Sequence, residues 1–457
     1  MSESTTSEIL AFTTVRSATG VDFIGTPGVD VGVIFDETGN VTLSGLGDGD
    51  VIQVNNSTLI QRTTSINGGD GADQITFNTS ISDSSINGNM GADTIVLYGS
   101  VTNSFVGGGD GSDTISGGMQ YLSSIIEGGA GSDTITVTNN LASATINGGD
   151  GNDIITVNNT APATIIATIN GGEGNDKIMF GMGGNQTFNN ASINGNAGDD
   201  IIEGMNLNVT LTGTNFIGGG AGNDTIDFSN ATTDNGAAGF ARGFDLTGGS
   251  GNDVITGSSD RDVIWGNADN DTISGGTGTD TIYAGAGNDR INVENDRIIG
   301  GLGADDYVFV PAGGNSIFFI NAVGESAAAT SGTARTFDSF VEYSGFIAGD
   351  SLNISAVTNQ LAGGVYVGAG LAASSNLGSF GPFTDFAGLK AALDLPAVVA
   401  TASDTGTIRT YNFSATVAGT AGNYLWIQDS QRAFTSSDLL FQTKNIGSIP
   451  VDQIALV

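Results

Sequence analysis

The residues of this sequence best suited to chemistry are aspartates, and they recur behind short runs of glycine. A clear copy runs from Gly68 to Asp73 as Gly-Gly-Asp-Gly-Ala-Asp, and Ile75 follows two residues later. Because glycine tolerates positive φ, such a turn can aim its carbonyl oxygens inward, and the closing aspartate adds negative charge. Calcium takes about six to eight oxygen ligands in flexible geometry, so the pattern indicates a calcium-binding turn.

The candidate calcium ligands are the second and fourth residues of each phrase, where they are glycine, and the closing aspartate. They are Gly69, Gly71, Asp73, Gly91, Asp93, Gly109, Gly111, Asp113, Gly129, Gly131, Asp133, Gly149, Gly151, Asp153, Gly172, Gly174, Asp176, Gly198, Asp200, Gly220, Gly222, Asp224, Gly249, Gly251, Asp253, Asp262, Asp271, Gly276, Gly278, Asp280, Gly285, Gly287, Asp289, Gly301, Gly303 and Asp305. The copies that end at Asp50 and Asp262 are irregular. A single copy could equally be an ordinary Gly-Asp turn, but repetition in register favours metal binding. Because one turn cannot saturate the ion, we expect neighbouring turns to share each ion, which gives about a dozen Ca2+ sites.

The aspartates fall at two spacings, which predict two kinds of coil. They are 20 residues apart from Asp73 to Asp153 and 9 residues apart from Asp253 to Asp289. Nine residues make one turn and one short strand, so two such units complete a coil with calcium turns on both edges. Twenty residues make a whole coil with one calcium turn and a plain Ser/Thr/Asn turn on the opposite edge. We therefore predict that turns one coil apart lie directly above each other.

An apolar register accompanies the aspartates. Ile stands two residues after the aspartate in every copy except the last, where Tyr307 takes its place. The return strand also closes on an apolar residue, such as Ile66 or Ile146. Two facing ladders of β-branched residues predict an all-β fold, a right-handed parallel β-roll or β-helix solenoid with a thin core. Asparagine recurs at one equivalent position, as at Asn147 and Asn170, and we favour a turn preference over a hydrogen-bonded ladder.

The array resembles the RTX, or repeat-in-toxin, family. The match is close over residues 248–291, where the nine-residue period is kept, and looser over 45–247. The resemblance implies a β-roll that folds on meeting calcium outside the cell. It also implies export by the type I system of a Gram-negative bacterium, directed by an uncleaved C-terminal signal. RTX arrays occur in toxins, proteases, lipases, adhesins and S-layer proteins, so the resemblance alone does not define a function.

Charge and composition narrow the choice of partners. The net charge is −36, with 48 acidic residues against 12 basic ones, which disfavours nucleic acid and anionic lipid and favours a divalent cation. The sequence contains no Cys and no His, which excludes thiolate metal sites and Ser-His-Asp catalysis. The first residues lack the pattern of a signal peptide, and no run of about 18 apolar residues predicts a membrane span.

The sequence suggests three regions. Residues 1–44 are expected to cap the solenoid or to anchor it to surface polysaccharide. Residues 45–306 form the roll, with one-sided coils to about 247 and nine-residue repeats over 248–291. Residues 307–457 are richer in aromatic residues and predict a mostly β C-terminal domain that contains the secretion signal, with a short helix over Thr384–Leu395. Residues 423–440 resemble the C-terminal domain of cyanobacterial RTX surface proteins, sometimes called bluetail.

These observations favour a non-enzymatic structural protein of the cell surface. The expected function is a calcium-dependent, self-assembling S-layer or similar extracellular coat, in which the chain forms a homo-oligomeric two-dimensional lattice. An RTX adhesin or a motility-associated surface fibre is the alternative. A secreted carboxylate-based glycosidase is less favoured, because no acidic pair stands out from the periodic aspartates.

Overall fold

The computed structural model describes residues 20–309 apart from gaps at 35–39, 56–63, 139, 159–162, 182–184, 205–207, 234–241, 295 and 304, together with separate strands on either side. The chain forms two compact units, Met1–Asp245 and Leu246–Val457. The described residues contain many strands and no helix, so none of them forms a helix that could cross a membrane. The predicted helix over Thr384–Leu395 lies outside the described residues.

The first unit is a parallel β-solenoid with two sheets, named sheet A and sheet B. The strands of sheet A are Ile9–Leu10, Val31–Ile34, Val51–Val54, Gln74–Phe77, Thr94–Leu97, Thr114–Gly117, Thr134–Thr138, Ile154–Asn158, Lys177–Phe180, Ile201–Gly204 and Thr225–Asp227. The strands of sheet B are Thr13–Arg16, Gly20–Ile24, Asn40–Leu46, Thr64–Asp70, Ile81–Ser82, Ser85–Met90, Val101–Thr102, Phe105–Asp110, Gln120–Leu122, Ile125–Ala130, Asn140–Asp150, Ala163–Glu173, Asn185–Asn189, Ser192–Ala197, Asn208–Thr212, Phe216–Ala221 and Thr232–Thr233. Arg242–Ser250 begins in this unit and ends in the next.

The predicted isoleucine ladders form the core of this solenoid. In sheet A, Ile95 pairs in parallel with Ile75 and with Ile115, and in sheet B, Ile86 pairs with Ile66. These side chains are almost completely buried between the two sheets. Because side chains alternate along a strand, the residues between them form the outer faces of the sheets. The parallel β-solenoid predicted from the sequence is confirmed.

The solenoid already includes strands ahead of residue 45. Gly20–Ile24 runs parallel to Asn40–Ser44, and Val31–Ile34 runs parallel to Val51–Val54. Two earlier strands run antiparallel to this first coil, Thr13–Arg16 on Val21–Ile24 and Ile9–Leu10 on Val31–Gly32. They cover sheet edges that a parallel solenoid would otherwise leave open. The role of residues 1–44 as a cap or an anchor stays a prediction.

Serine turns form the edge opposite the glycine turns over the 20-residue coils. The amide of Ser84 donates to Ser104 Oγ at 3.1 Å, and the amide of Ser104 donates to Ser124 Oγ at 3.2 Å. Ala144 is buried at the next equivalent position. This edge therefore carries plain polar turns, as the 20-residue spacing predicted.

Near the end of the first unit, the core contains packed phenylalanine rings and a buried glutamine. Phe188 lies 5.4 Å from Phe180 and 5.8 Å from Phe244 between ring centroids, and Phe228 lies 4.7 Å from Phe244. Gln186 is completely buried, and neither polar atom of its side chain has a hydrogen-bond partner. A polar group buried without a partner is costly, so Gln186 is a weak point of this core.

In the second unit the strands alternate between two sheets, named sheet C and sheet D. Sheet C contains Val254–Thr256, Thr272–Ser274, Arg290–Val293, Asp306–Phe309, Ser339–Glu342, Ser375–Phe383, Arg409–Val417, Thr420–Gln428 and Leu439–Lys444. Sheet D contains Arg261–Ala268, Thr281–Ala286, Arg297–Leu302, Ile317–Phe319, Ser351–Asn353 and Ile454–Ala455. Ile255 pairs in parallel with Ile273, and Ile264 pairs with Ile282, each 18 residues further on. The nine-residue repeats therefore build coils of two strands with a turn at each edge, as predicted.

The last strands of sheet C form an antiparallel group. Thr420–Gln428 pairs with Arg409–Val417 on one side and with Leu439–Lys444 on the other. The described part of residues 307–457 is therefore made of strands, and the predicted boundary at 306/307 stays a prediction.

The recurring asparagine position differs from the interpretation based on the sequence. Asn147 and Asn170 lie inside strands rather than in turns, and Asn170 Nδ2 donates to Asn147 Oδ1 at 2.8 Å. The favoured turn explanation is wrong for this pair, because the polar side chain points to the outer face, where a neighbouring strand offers the matching amide.

Candidate metal-binding edges

A ladder of hydrogen bonds links the motif aspartates of the first unit. The amide of Asp73 donates to Asp93 Oδ1, and the amide of Asp93 donates to Asp113 Oδ1, both at 2.7 Å. Equivalent bonds of 2.6 to 2.8 Å connect every aspartate of the series Asp30, Asp50, Asp73, Asp93, Asp113, Asp133, Asp153, Asp176, Asp200 and Asp224 to the next. The prediction that turns one coil apart lie directly above each other is confirmed.

The second unit has two such ladders, one on each edge. On one edge the amide of Asp253 donates to Asp271 Oδ1 at 2.9 Å, and the ladder continues through Asp289 to Asp305. On the other edge the amide of Asp262 donates to Asp280 Oδ1 at 2.8 Å, and Asp280 donates to Asp296 Oδ1 at 3.0 Å. Turns on both edges are the consequence of the nine-residue period.

The second carboxylate oxygen of most ladder aspartates is buried and has no hydrogen-bond partner. These atoms include Oδ2 of Asp50, Asp73, Asp93, Asp113, Asp133, Asp153, Asp176, Asp200, Asp271, Asp280 and Asp289. A charged oxygen buried in this way requires a compensating cation or a proton. The orphaned oxygens therefore fit a bound metal ion.

The first glycine of each phrase brings backbone oxygen close to this atom. A Cβ atom on Gly88 would overlap with Asp93 Oδ2 and would also meet the carbonyl oxygen of Gly108 in the next turn. The same two contacts recur at Gly68 and Gly128. Carboxylate and carbonyl oxygens from two successive turns thus converge on one place, and both are ligand types that calcium prefers.

The carboxylates do not form a metal cluster by themselves. Within the described residues, no three acidic side chains come together as a possible ligand group. The remaining ligands of a cation at these edges would have to be backbone carbonyls of the glycine turns, as the sequence predicted. When bound, calcium would neutralise the stacked carboxylates and link each turn to the next.

All the glycines predicted as ligands have the backbone conformation that such turns require. Gly69 and Gly71 have φ of 116° and 117°, and every other predicted glycine also has positive φ. Asn89, Asn196 and Asn267 occupy the second-glycine position in three turns and adopt φ of 79–83°. Since L-residues other than Asn and Asp rarely tolerate this region, the sequence requirement for Gly or Asn follows from the turn itself.

Burial makes the ladder carboxylates difficult to ionise. Desolvation, followed by the neighbouring aspartates, raises the pKa of Asp93, Asp153 and Asp200 to about 7, against an opposing hydrogen bond from the preceding turn. The same burial raises the pKa of Asp113 and Asp176 to about 6. A stack of such groups is unfavourable in its charged state without a cation, because burial penalises the ionised form.

A family model for the RTX calcium-binding nonapeptide repeat matches residues 123–137, 145–159, 168–186, 190–211, 247–282 and 265–294. These segments are RTX calcium-binding repeats. They include the turns that end at Asp133, Asp153, Asp176 and Asp200, together with the nine-residue turns of the second unit. The RTX resemblance stated from the sequence is confirmed, and calcium is the metal that this repeat binds.

The comparisons with individual proteins are more distant. No curated protein matches this chain in sequence. Among solved structures, the chain is similar to a hyperactive, Ca2+-dependent, β-helical antifreeze protein from an Antarctic bacterium. The two share 20% sequence identity over 65% of this chain and 84% of that chain, with a TM-score of 0.29.

Of the two irregular copies, the one at Asp262 differs from the regular turns in one contact. Asp262 lies in the ladder and is completely buried, but Ser258 donates its amide and its hydroxyl to Asp262 Oδ2, at 2.7 and 3.0 Å. Serine here occupies the second-glycine position, whereas the first glycine is kept as Gly257. Asp50, the other irregular copy, keeps its Oδ2 buried and without a partner. The site at Asp262 therefore has less need of a cation than the site at Asp50.

Sequence reasoning missed three features of the RTX edges. Asp30 and Asp296 belong to the ladders and are buried, although neither follows a glycine pair. The phrase before Asp30, Gly-Thr-Pro-Gly-Val, keeps the first and fourth glycines and could have been recognised, whereas Glu-Asn before Asp296 gives no signal. The first glycine, as at Gly68, was not predicted as part of the site. The roles of the predicted residues as calcium ligands stay a prediction.

A second ladder runs beside the aspartates on the exposed side of the turns. The amide of Asn175 donates to Asn152 Oδ1 at 2.8 Å, and the amide of Asp199 donates to Asn175 Oδ1 at 2.9 Å. In the second unit, the amide of Asn270 donates to Asn252 Oδ1 at 3.0 Å. This ladder points from each coil to the preceding one, which is opposite to the aspartate ladder.

Proposed function

We propose that this chain is a calcium-dependent structural protein of a cell-surface coat of the S-layer kind. The observation that carries the proposal is the row of buried carboxylate oxygens without hydrogen-bond partners along the RTX turns. Repulsion and desolvation oppose closure of this row, and calcium between successive turns removes both penalties. Folding is therefore coupled to calcium, and the metal-free chain is largely unfolded.

The position of the carboxylates supports a structural role rather than catalysis. The ladder aspartates, such as Asp113 and Asp133, accept a backbone hydrogen bond and are buried in the turns between strands. A hydrolytic acid pair needs two carboxyl groups that face a substrate across a cleft. The outer faces of sheet A carry instead short polar residues in columns, such as Thr94, Thr114 and Thr134, which suit packing against other surfaces.

Calcium dependence also supports a place outside the cell. Calcium sites of extracellular modules have dissociation constants of about 10⁻⁴ to 10⁻³ M, so such modules stay unfolded where calcium is scarce. In this proposal the chain leaves the cell unfolded by type I secretion, folds at the surface and joins copies of itself in a two-dimensional lattice. The resemblance of the C-terminal segment to exported surface proteins supports this route.

The test compares the full-length protein in metal-free buffer, in magnesium and in millimolar calcium. We expect a disordered monomer in the first two conditions, by circular dichroism and sedimentation, and ordered two-dimensional sheets in calcium by electron microscopy. Equal compactness in metal-free buffer contradicts calcium-coupled folding. A folded protein that stays as isolated molecules in calcium contradicts the coat and favours an adhesin.

A further inference from the structure

We infer that two faces of this chain bind each other between copies, an acidic groove on sheet B and an aromatic ridge on sheet D. The acidic groove is formed by Asn87, Phe105, Asp110, Glu127 and Asp150 around a floor of glycine. The aromatic ridge is formed by Trp265, Tyr283 and Ile299, with Arg297 and Leu302 beside it. The inference rests on the proposed self-assembly and names the contact that performs it.

The acidic groove exists because side chains are missing from two columns of sheet B. Parallel pairing aligns Gly109 with Gly129, and Gly129 with Gly149, so one column has no side chains over three coils. In the neighbouring column, Gly107 separates Asn87 from Glu127. The result is a channel of about 430 Å³ on the outer face of the sheet.

The lining of the groove is both acidic and apolar. Asp110 and Asp150 are exposed on one wall, Glu127 contributes a third carboxylate, and no basic residue lines the groove. A Cβ on Gly107 would meet the Phe105 ring at 2.8 Å, so the ring lies against this glycine. Ile125, in register with Phe105, is 45% exposed. An apolar site surrounded by carboxylates fits an apolar partner that carries positive charge.

The aromatic ridge has the opposite properties on the equivalent strands of the second unit. Trp265 pairs with Tyr283, and Tyr283 pairs with Ile299, so three large side chains form one column on the outer face. The Trp265 and Tyr283 rings are stacked, with centroids 6.0 Å apart and planes 7° apart. Arg297 is exposed in the next column, and Leu302 is 59% exposed.

The two faces complement each other in shape and in charge. Both follow successive coils of parallel strands about 4.8 Å apart, so a raised column on one copy matches a recessed column on another. The groove has three carboxylates, whereas Arg297 is charged positively in a chain of net charge −36. Trp, Tyr and Arg are also the side chains most enriched in protein interfaces. A contact between two different faces of identical chains can repeat from copy to copy, and where the rotation does not close a ring it supplies one direction of a lattice.

Charge reversal in the full-length protein tests this contact. The variants are Glu127→Arg in the groove, Arg297→Glu beside the ridge, and the double variant with both changes. Matched controls are Glu203→Arg and Arg290→Glu, which make the same substitutions on the outer faces of sheets A and C. Assembly in millimolar calcium is measured by sedimentation and electron microscopy, after circular dichroism has confirmed the fold.

Each single variant should raise the concentration needed for assembly by about tenfold or more, because like charges then face each other. An equimolar mixture of the two single variants, and the double variant, should restore assembly, since the charges match again. The controls should assemble like the wild type, although Glu203→Arg also removes a partly exposed ion pair with Lys177.

The contact is wrong if both single variants assemble like the wild type, or if the controls lose assembly equally. Those results leave the coat proposal standing, whereas a wild-type protein that never assembles in calcium contradicts the coat itself. If a charge variant does not fold, the variant Trp265→Thr tests the contact instead. Threonine is common on the outer faces of these sheets, and the substitution removes an aromatic side chain of the ridge. Unchanged assembly of that folded variant overturns the inference.

Discussion

The two oxygens of each ladder aspartate have different roles. Oδ1 of Asp133 accepts the amide of Asp113 at 2.7 Å, and its Oδ2 is buried without a partner. The first contact is structural and needs no charge, whereas the second oxygen needs a cation. The spacing of the sequence predicted the aspartates, but it could not predict this division, because it depends on which oxygen faces the neighbouring turn.

Substitutions at Asp133 should separate these roles. Asp133→Asn keeps an acceptor for the Asp113 amide but removes the charge, so we expect weaker calcium binding with the ladder intact. Asp133→Ala should cost about 1–3 kcal/mol more in the free energy of unfolding, because it leaves a buried amide without an acceptor. Calcium titration and denaturant unfolding in calcium measure the two effects. Equal stability of the two variants contradicts the structural role of Oδ1.

The raised pKa values predict an unusual pH dependence without metal. The pKa of Asp93, Asp153 and Asp200 is about 7 in the folded protein, against an ordinary value of 3.8. Between these values the folded state binds more protons than the unfolded state, so stability is lost as pH rises through this window. Metal-free protein should therefore gain sheet structure as the pH falls from about 8 to about 5.

Bound calcium should reverse the sign of this dependence. An ion beside the carboxylates favours their charged form and lowers their pKa, so acidification then removes the ion and destabilises the fold. Circular dichroism across the pH range, in metal-free and in calcium buffer, measures both slopes. Parallel slopes in the two buffers contradict a cation at the ladder.

At the scale of the turn, the first glycine is required for close approach. A Cβ on Gly128 would overlap with Asp133 Oδ2 and with the carbonyl oxygen of Gly148. The Asp133 carboxylate also accepts the Asp113 amide through Oδ1, so it cannot move away without disturbing the ladder. The sequence showed this glycine in almost every copy, but only the packing of successive turns reveals why a side chain is excluded.

Gly128→Ala should therefore destabilise the calcium-bound protein by about 2–3 kcal/mol. The matched control is Gly107→Ala on the same sheet, where the new Cβ meets the ring of Phe105 and the side-chain oxygen of Asn87, both of which belong to side chains that can move. Denaturant unfolding in calcium measures both. A control that is as destabilised as Gly128→Ala would show that the loss is a general effect on the strand.

Gln186 gives a prediction at the scale of the sheet. Its side chain is buried without hydrogen bonds, so Gln186→Leu should raise the free energy of unfolding by about 1 kcal/mol or more. Gln74→Leu, at an exposed position of sheet A, should have little effect and serves as the control. Destabilisation by Gln186→Leu would mean that the amide has a function in the core, such as binding internal water.

For the whole chain, the two spacings were sufficient to predict the coils. The 20-residue period gave one glycine edge and one serine edge, and the nine-residue period gave two glycine edges. The distance between successive aspartates shows whether a glycine turn occurs once or twice in each coil. The sequence did not reveal Asp296, because its turn lacks glycine and the 16-residue step from Asp280 breaks the nine-residue period. The pairing of Trp265 with Tyr283 follows from the 18-residue coil, but the stacking of the two rings depends on side-chain conformations that the motif does not specify.

Energetic coupling between calcium sites should be limited to adjacent turns, because each coil contacts only its neighbours along the solenoid. Asp113 and Asp133 share a hydrogen bond and adjacent turns, so the double variant Asp113→Asn/Asp133→Asn should differ from the sum of the single effects by about 0.5 kcal/mol or more. Asp73 and Asp176 are several coils apart, and their Asn variants should be additive. Calcium-dependent unfolding of the four single and two double variants measures this. Equal coupling in both pairs contradicts local sharing of ions.

The buried ladders at the two edges of the first unit have a common direction. Asp93 donates its amide to Asp113, and Ser84 donates to Ser104, so each coil gives a proton donor to the coil that follows it in sequence. A coil that settles onto its C-terminal neighbour finds these two side-chain acceptors already in place, whereas backbone amides such as that of Thr94 donate to the preceding coil. We therefore expect the side-chain ladders to favour the addition of coils from the C-terminal end of the solenoid towards its N-terminal end.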